Sequence, residues 1–149
     1  QLALMKPKFA VMDETGTWTK NNKLMEVADA VRRGLAGMRG RSIETTNAWD
    51  SSEGSVAQRT FSSASGNTFI FYELPPGDLT WEKKSDRRKI LEAVYAGSPW
   101  VSIDAVLKEA NEISETNPAQ AERFFGNKII QGIGGYLPEG LWEACYAGV

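Results

Sequence analysis

The chain has 149 residues, enough for one domain with a real core, and a hydrophobic fraction of 42% is ordinary for a globular protein. A net charge of -2 and a pI near 5.3 exclude a free-standing nucleic-acid binder acting through its global field. Histidine is absent, which excludes Ser-His-Asp and Cys-His catalysis and histidine metal sites, and the single Cys145 excludes an internal disulfide framework.

Leu2 to Met5 is too short for a signal or a span, and no other stretch is long and apolar enough to cross a membrane. Phe9-Ala10-Val11-Met12 reads as a strand ending in Asp13-Glu14. Leu24, Val27, Ala28, Val31 and Leu35 then fall on one helical face. Arg32-Arg33 is expected to be a solvated face closing this helix before Gly34 and Gly37. A second strand, Arg41 to Glu44, ends in Thr45-Thr46-Asn47. Strand, crossover helix and strand predict parallel neighbours near 8–12 and 41–46, with both polar tips at one sheet edge. Ser55 to Ser65 is expected to be a weak helix with Val56 and Phe61 inward. Thr68 to Leu74 has apolar residues on both faces and predicts a buried strand, stopped by Pro75-Pro76-Gly77-Asp78.

The remainder reads as helical. Lys83 to Ala96 places Ile90, Leu91, Val94 and Tyr95 inward, and Ser102 caps a helix carrying Ile103, Val106, Leu107, Ala110 and Ile113. Asn117-Pro118-Ala119-Gln120 combines a cap, a proline at the first helical position and a glutamine two residues on. Phe124-Phe125-Gly126 closes that helix. The organisation expected is α/β: residues 1–80 carry a parallel sheet with a crossover helix, and residues 81–149 a helical segment. Tryptophans 18, 49, 81, 100 and 142 are read as packing residues, with Trp49 able to couple its turn to the helices beyond. Cys145 is read as a small buried apolar residue. The Lys83–Lys89 cluster is left open between a helix face and a contact with DNA or a neighbouring subunit.

Open α/β sheets bind ligands at the carboxyl edge of their strands. Magnesium takes oxygen ligands and keeps several waters, so one aspartate suffices to hold it with a nucleotide. Asp13 fits that metal role. Glu14 leaves the strand at a different angle and fits a base that deprotonates an attacking water. Thr45, Thr46 and Asn47 offer hydroxyl and amide groups to that water or to a phosphate oxygen. Each segment alone also reads as an ordinary strand end or helix cap.

The segment Phe9 to Glu14 resembles a Walker B strand with its catalytic glutamate. Ile43-Glu44-Thr45-Thr46-Asn47-Ala48-Trp49 resembles the coupling motif of the large terminase subunit, the DNA-packaging ATPase of tailed phages. Asp50 to Thr60 and Asn117-Pro118-Ala119-Gln120-Ala121-Glu122-Arg123-Phe124-Phe125-Gly126-Asn127 continue the likeness, which runs from about Pro7 to Trp142. No Gly-x-x-x-x-Gly-Lys-Ser/Thr is present, and only twelve residues precede Asp13. The resemblance therefore implies a partial P-loop NTPase-type sheet, the back half of the ATPase domain and the start of a linker to a nuclease domain. It implies ATP and Mg2+ as ligands, double-stranded viral DNA as cargo, and a homo-oligomeric ring with the portal protein and the small terminase subunit. It implies a place in the host cytoplasm, transiently at the procapsid portal. Arg123 would be a trans-acting or linker arginine, or a residue ion-paired with a glutamate. The 149 residues alone are expected neither to hydrolyse ATP nor to cut DNA. Two rivals remain: a non-enzymatic, prophage-derived interaction module, and an unrelated magnesium-dependent α/β phosphohydrolase.

If the place of a missing loop strand is kept, segments 41–46 and 68–74 should lie about two strand spacings apart, roughly 10 Å.

Overall fold

The computed structural model describes residues 6–132 and Cys145. The expected N-terminal unit is present. Strand β1 (Phe9–Met12) pairs in parallel with β2 (Arg41–Glu44), with Phe9 opposite Arg41 and Met12 opposite Glu44. Helix α1 (Leu24–Gly37) makes the crossover. It buries Met25 and Ala28 against Met12 and Val56, with Trp18 and Val31 packed on that cluster. The helix runs through Gly34 rather than closing at Arg32-Arg33, and Met38 caps it. Arg32 is not a solvated end residue. Its guanidinium bonds Glu44 at 2.5 Å and Thr60 at 2.5 Å, tying α1 to β2 and to the next helix. Gly40 makes the return to β2 possible, because a Cβ there would lie 2.7 Å from the Lys8 carbonyl oxygen and 2.8 Å from Leu35 Cδ2.

Helix α2 (Val56–Ser62) starts at Ser55, whose hydroxyl accepts the Gln58 amide. Val56 is fully buried, but Phe61 is exposed on one side and leans on Trp49, with ring centroids 5.2 Å apart. The short helix presents its outer turn to that indole instead of to the Met12 cluster.

The predicted strand at 68–74 does not form. Among the described residues the sheet has two strands only, and β2 pairs with β1 alone. Segment 68–74 lacks strand pairing, and Phe69 and Phe71 are 90% and 76% exposed. Apolar residues on both faces need a layer on each side and a ladder alongside, and no described element supplies them. Tyr72 is the anchored member: its hydroxyl donates to the Asn127 carbonyl oxygen at 2.9 Å and its ring stacks on Trp49 at 6.5 Å.

The second unit is helical, as expected. Helices α3 (Lys84–Val94), α4 (Ile103–Ser114) and α5 (Pro118–Phe125) enclose Trp81, Ile90, Leu91, Ala110 and Ala121. Trp81 is the centre: its indole N–H donates to the Ser114 hydroxyl, and its carbonyl oxygen accepts from Arg87 Nε at 2.7 Å. The Lys83–Lys89 cluster is largely consumed inside this unit. Arg87 is buried, Lys84 pairs with Glu115, and Arg88 pairs with Asp104 and Glu92. Trp100, by contrast, is exposed, at the turn between α3 and α4, where no described layer covers it. Cys145 is exposed rather than buried, because neither core cluster reaches it. Trp142 and the Leu2–Met5 run lie outside the described residues.

The described architecture is thus a mixed α/β one, a two-stranded parallel sheet with five helices. No helix among the described residues is long and apolar enough to cross a membrane.

Candidate functional site

Parallel pairing sends both strands out of the sheet at the same end, so Asp13 and Thr45 leave side by side. Asp13 Oδ1 accepts the Thr45 hydroxyl at 2.5 Å and the Glu14 amide at 3.0 Å. Both bonds fall on one oxygen, which leaves Oδ2 for a cation or its water. The two loops are also laced through backbone: the Thr45 amide donates to the Met12 carbonyl oxygen at 3.0 Å, and the Thr15 amide to the Thr45 carbonyl oxygen at 3.2 Å.

Glu14 adopts the left-handed conformation, at φ 55° and ψ 37°. This is uncommon for a residue with a side chain and costs of order 1–3 kcal/mol where the surroundings enforce it. The surroundings here are a short 3-10 turn, Thr15–Thr17, in which the Thr17 amide and hydroxyl both donate to the Glu14 carbonyl oxygen, at 2.9 Å and 2.8 Å. Asp13 and Glu14 are both exposed to solvent.

Behind these exposed groups the packing is tight. The Gly16 amide donates to the Thr46 hydroxyl at 2.8 Å, and that hydroxyl donates to the Asn47 carbonyl oxygen at 2.7 Å. Thr46 therefore spends its oxygen on backbone, and Thr45, through Asp13, is the hydroxyl nearest the carboxylates. Asn47 is half-buried at the turn between Thr46 and Ala48.

The helical unit reaches this turn through α5. Arg123, 5% exposed, donates from Nε to the Ala48 carbonyl oxygen at 2.8 Å and from Nη2 to the Gly16 carbonyl oxygen at 3.2 Å. Asn127, in the left-handed conformation just past α5, accepts the Ala48 amide on its side-chain oxygen at 3.1 Å and donates to the Glu73 carbonyl oxygen. Trp49 and Ser51 exchange backbone bonds with Ile130, at 3.1 Å and 2.8 Å. Asp50 is buried at this junction and accepts the Ser52 amide and hydroxyl and the Gly132 amide. Burial pushes the Asp50 carboxyl up, but these hydrogen bonds and Arg123 outweigh it and hold the carboxyl below the usual carboxylate range.

Asp13, Glu14, Thr45, Thr46 and Asn47 therefore occupy one sheet edge. Two further residues complete it: Gly16, which the sequence reading does not single out and which lets the loops touch, and Asn127, which closes the 117–127 segment but has no role in that reading. Nothing local marks either one, since their partners lie 30 and 79 residues away. Among the described residues no group of three or more acidic or thiol side chains could cage a metal. A one-aspartate edge suits magnesium that arrives with a phosphate ligand and keeps most of its waters, and does not suit an all-protein cation site. No protein family, curated protein or solved structure matches the chain, so the function rests on this geometry and on the motifs that form it.

Proposed function

We propose that the chain is the Walker B-to-linker portion of a terminase-type DNA-packaging ATPase. The observation that carries the reading is the bond from the Thr45 hydroxyl to Asp13, which joins the tips of two parallel strands where a bound phosphate would report to both. On this reading Asp13 holds magnesium, directly or through water, and Glu14 accepts a proton from the attacking water. The water oxygen bonds the terminal phosphorus, the bond to the bridging oxygen breaks, and the nucleoside diphosphate and phosphate leave. When bound, the metal supplies charge neutralisation on the phosphate oxygens. Thr45 and the Asn47 side chain sense whether the terminal phosphate is present, and Thr46, bonded to the Gly16 amide and the Asn47 carbonyl oxygen, passes that state toward Ala48 and the helical unit.

The phosphate-binding amides and lysine that such chemistry needs have no counterpart motif in these 149 residues. They belong to further polypeptide on this reading, which also supplies the rest of a P-loop NTPase-type sheet. The exposed sheet residues Phe9, Val11 and Ile43 and the extended Phe69 and Phe71 support this, since parallel sheets are normally covered on both faces. The activity proposed is ATP-driven movement of double-stranded viral DNA by a ring of subunits at the portal, with the small subunit as partner.

The same exposed apolar residues favour a second reading, a non-enzymatic interaction module. Phosphate release by the complete protein separates the two, and Glu14→Gln then tests the base. That substitution should lower phosphate release at least ~100-fold, the range of general-base effects, while nucleotide affinity changes less than about twofold. Asp13→Asn should weaken the magnesium-dependent part of binding, and changing Asn47 should uncouple hydrolysis from DNA movement. Near-normal turnover by the Glu14→Gln protein rules out Glu14 as the base, and no phosphate release by the unaltered complete protein refutes the ATPase reading.

A further inference from the structure

We infer that Arg123 is a positioning residue that sets the spacing between the Glu14 loop and the Thr45–Asn47 turn, and that it transmits movement of the helical unit to both at once. This rests on the ATPase reading. The starting observation is a buried cation with an unusual set of partners. The Arg123 guanidinium bonds two backbone carbonyl oxygens, on Ala48 and Gly16, which lie 75 and 107 residues away in the chain. Glu53 is the carboxylate paired with it, at 4.0 Å, and Phe124 packs beneath it at 5.0 Å. A helix-holding ion pair would put a carboxylate at bonding distance. A trans-acting arginine would be exposed, and this one is 5% exposed.

The two carbonyls are not arbitrary points. Gly16 follows Glu14 by two residues, and Ala48 directly follows Asn47. The Gly16 amide bonds Thr46, and Thr46 bonds Asn47. Arg123, Gly16, Thr46, Asn47 and Ala48 thus form a closed ring of hydrogen bonds and backbone. A planar guanidinium holds two acceptors in a fixed relation with one rigid group. Lysine offers a point charge on a flexible stem and cannot reproduce that fork. Helix α5 is fixed to the helical core through Ala121 and Phe125. A rotation of that core therefore moves both loops together, while the guanidinium holds the spacing between them. Asn127 provides a second tie from the same end of α5 to Ala48.

The test uses Arg123→Lys in two settings. In the 149-residue chain, hydrogen exchange should speed up at least tenfold at the Gly16 and Ala48 amides and stay within twofold along α3. In the complete ATPase, kcat should fall at least tenfold with KM for ATP changed less than twofold. A loss of folding alone would move α3 as well, so the local pattern separates positioning from general destabilisation. If the lysine protein does not fold, Arg123→Gln, which removes the buried charge and keeps a planar donor, gives the same comparison. Unchanged exchange at Gly16 and Ala48 overturns the tie. Faster exchange there with unchanged kcat, in a protein whose turnover Glu14→Gln abolishes, overturns the positioning role. Absence of ATP turnover in the unaltered complete protein defeats the ATPase reading and with it the catalytic half of the inference, while the exchange result still decides the tie.

Discussion

Gly16→Ala measures how closely the two loops approach. A Cβ at Gly16 would stand 2.5 Å from Thr46 Oγ1 and 3.2 Å from the Asn47 carbonyl oxygen. Ordinary contact begins at 3.4 Å, so the hydroxyl must retreat by about 0.9 Å. Two routes are open. Rotating Thr46 breaks its bonds with the Gly16 amide and the Asn47 carbonyl oxygen, two neutral hydrogen bonds worth ~0.5–1.5 kcal/mol each. Keeping the rotamer spreads the loops, an overpacking cost of about 1–3 kcal/mol. Both routes give roughly 1–3 kcal/mol. The backbone is not the obstacle, since Gly16 is absent from the positive-φ glycines, Gly54 and Gly132. Alanine should even gain some tenths of a kcal/mol through the unfolded chain. Urea unfolding of the 149-residue protein, followed by tryptophan fluorescence, should show the midpoint falling by roughly 0.5–2 M at a slope of ~1–3 kcal/mol/M. The decisive control is Thr46→Ala. It removes the obstructing oxygen, so the double variant should be no less stable than Thr46→Ala alone, a coupling of at least about 1 kcal/mol. A Gly16→Ala protein within ~0.5 kcal/mol of the parent, or simple additivity with Thr46→Ala, would refute the close approach.

Replacing Glu14 with glycine should stabilise the fold by about 1 kcal/mol, because glycine takes the left-handed conformation without a steric cost, and should remove the proposed base at the same time. Thermal unfolding and phosphate release, measured on one preparation, check both halves. Asp50 supplies a pH prediction. Its folded-state carboxyl lies below the usual value of about 3.8, so its contribution is complete above the unfolded value and fades as the pH falls through the folded one. Asp50→Asn should therefore be less stable at pH 7 and lose less stability as the pH falls below about 4, as read by urea midpoints.

What could be read from the residues follows the range of the forces involved. Helix caps are decided within four residues, and Ser102 and Asn117 accept the amides of Ala105 and Gln120 as their positions predict, while Ser55, read as part of its helix, caps it through the Gln58 amide. The strand–helix–strand unit was legible because one crossover helix brings its partners together. Residues 68–74 have the composition of a strand, but a strand needs a neighbour, and composition does not say whether one is there. Arg123 was ambiguous for a related reason: its acceptors are backbone oxygens, which carry no sequence signature at all. Its burial has no local signal either, since an arginine near glutamates ordinarily suggests a surface pair. The left-handed turn at Glu14 was equally hidden. Glutamate does not favour it, and the 3-10 turn that enforces it depends on Thr17 donating its amide and hydroxyl to the Glu14 carbonyl oxygen.

The reach of Arg123 also sets an order of events during synthesis. The Met12, Met25, Ala28 and Val56 cluster is complete as soon as the chain has been made through Val56. Arg123 is made 67 residues later, which at ~5–20 residues per second is roughly 3–13 s. During that interval the strand pair can exist while the loops at its end have no guanidinium between them. The loops at the strand ends therefore acquire their Arg123 tie only after the strand pair can form, and a nascent chain carries Asp13 and Glu14 well before that tie exists.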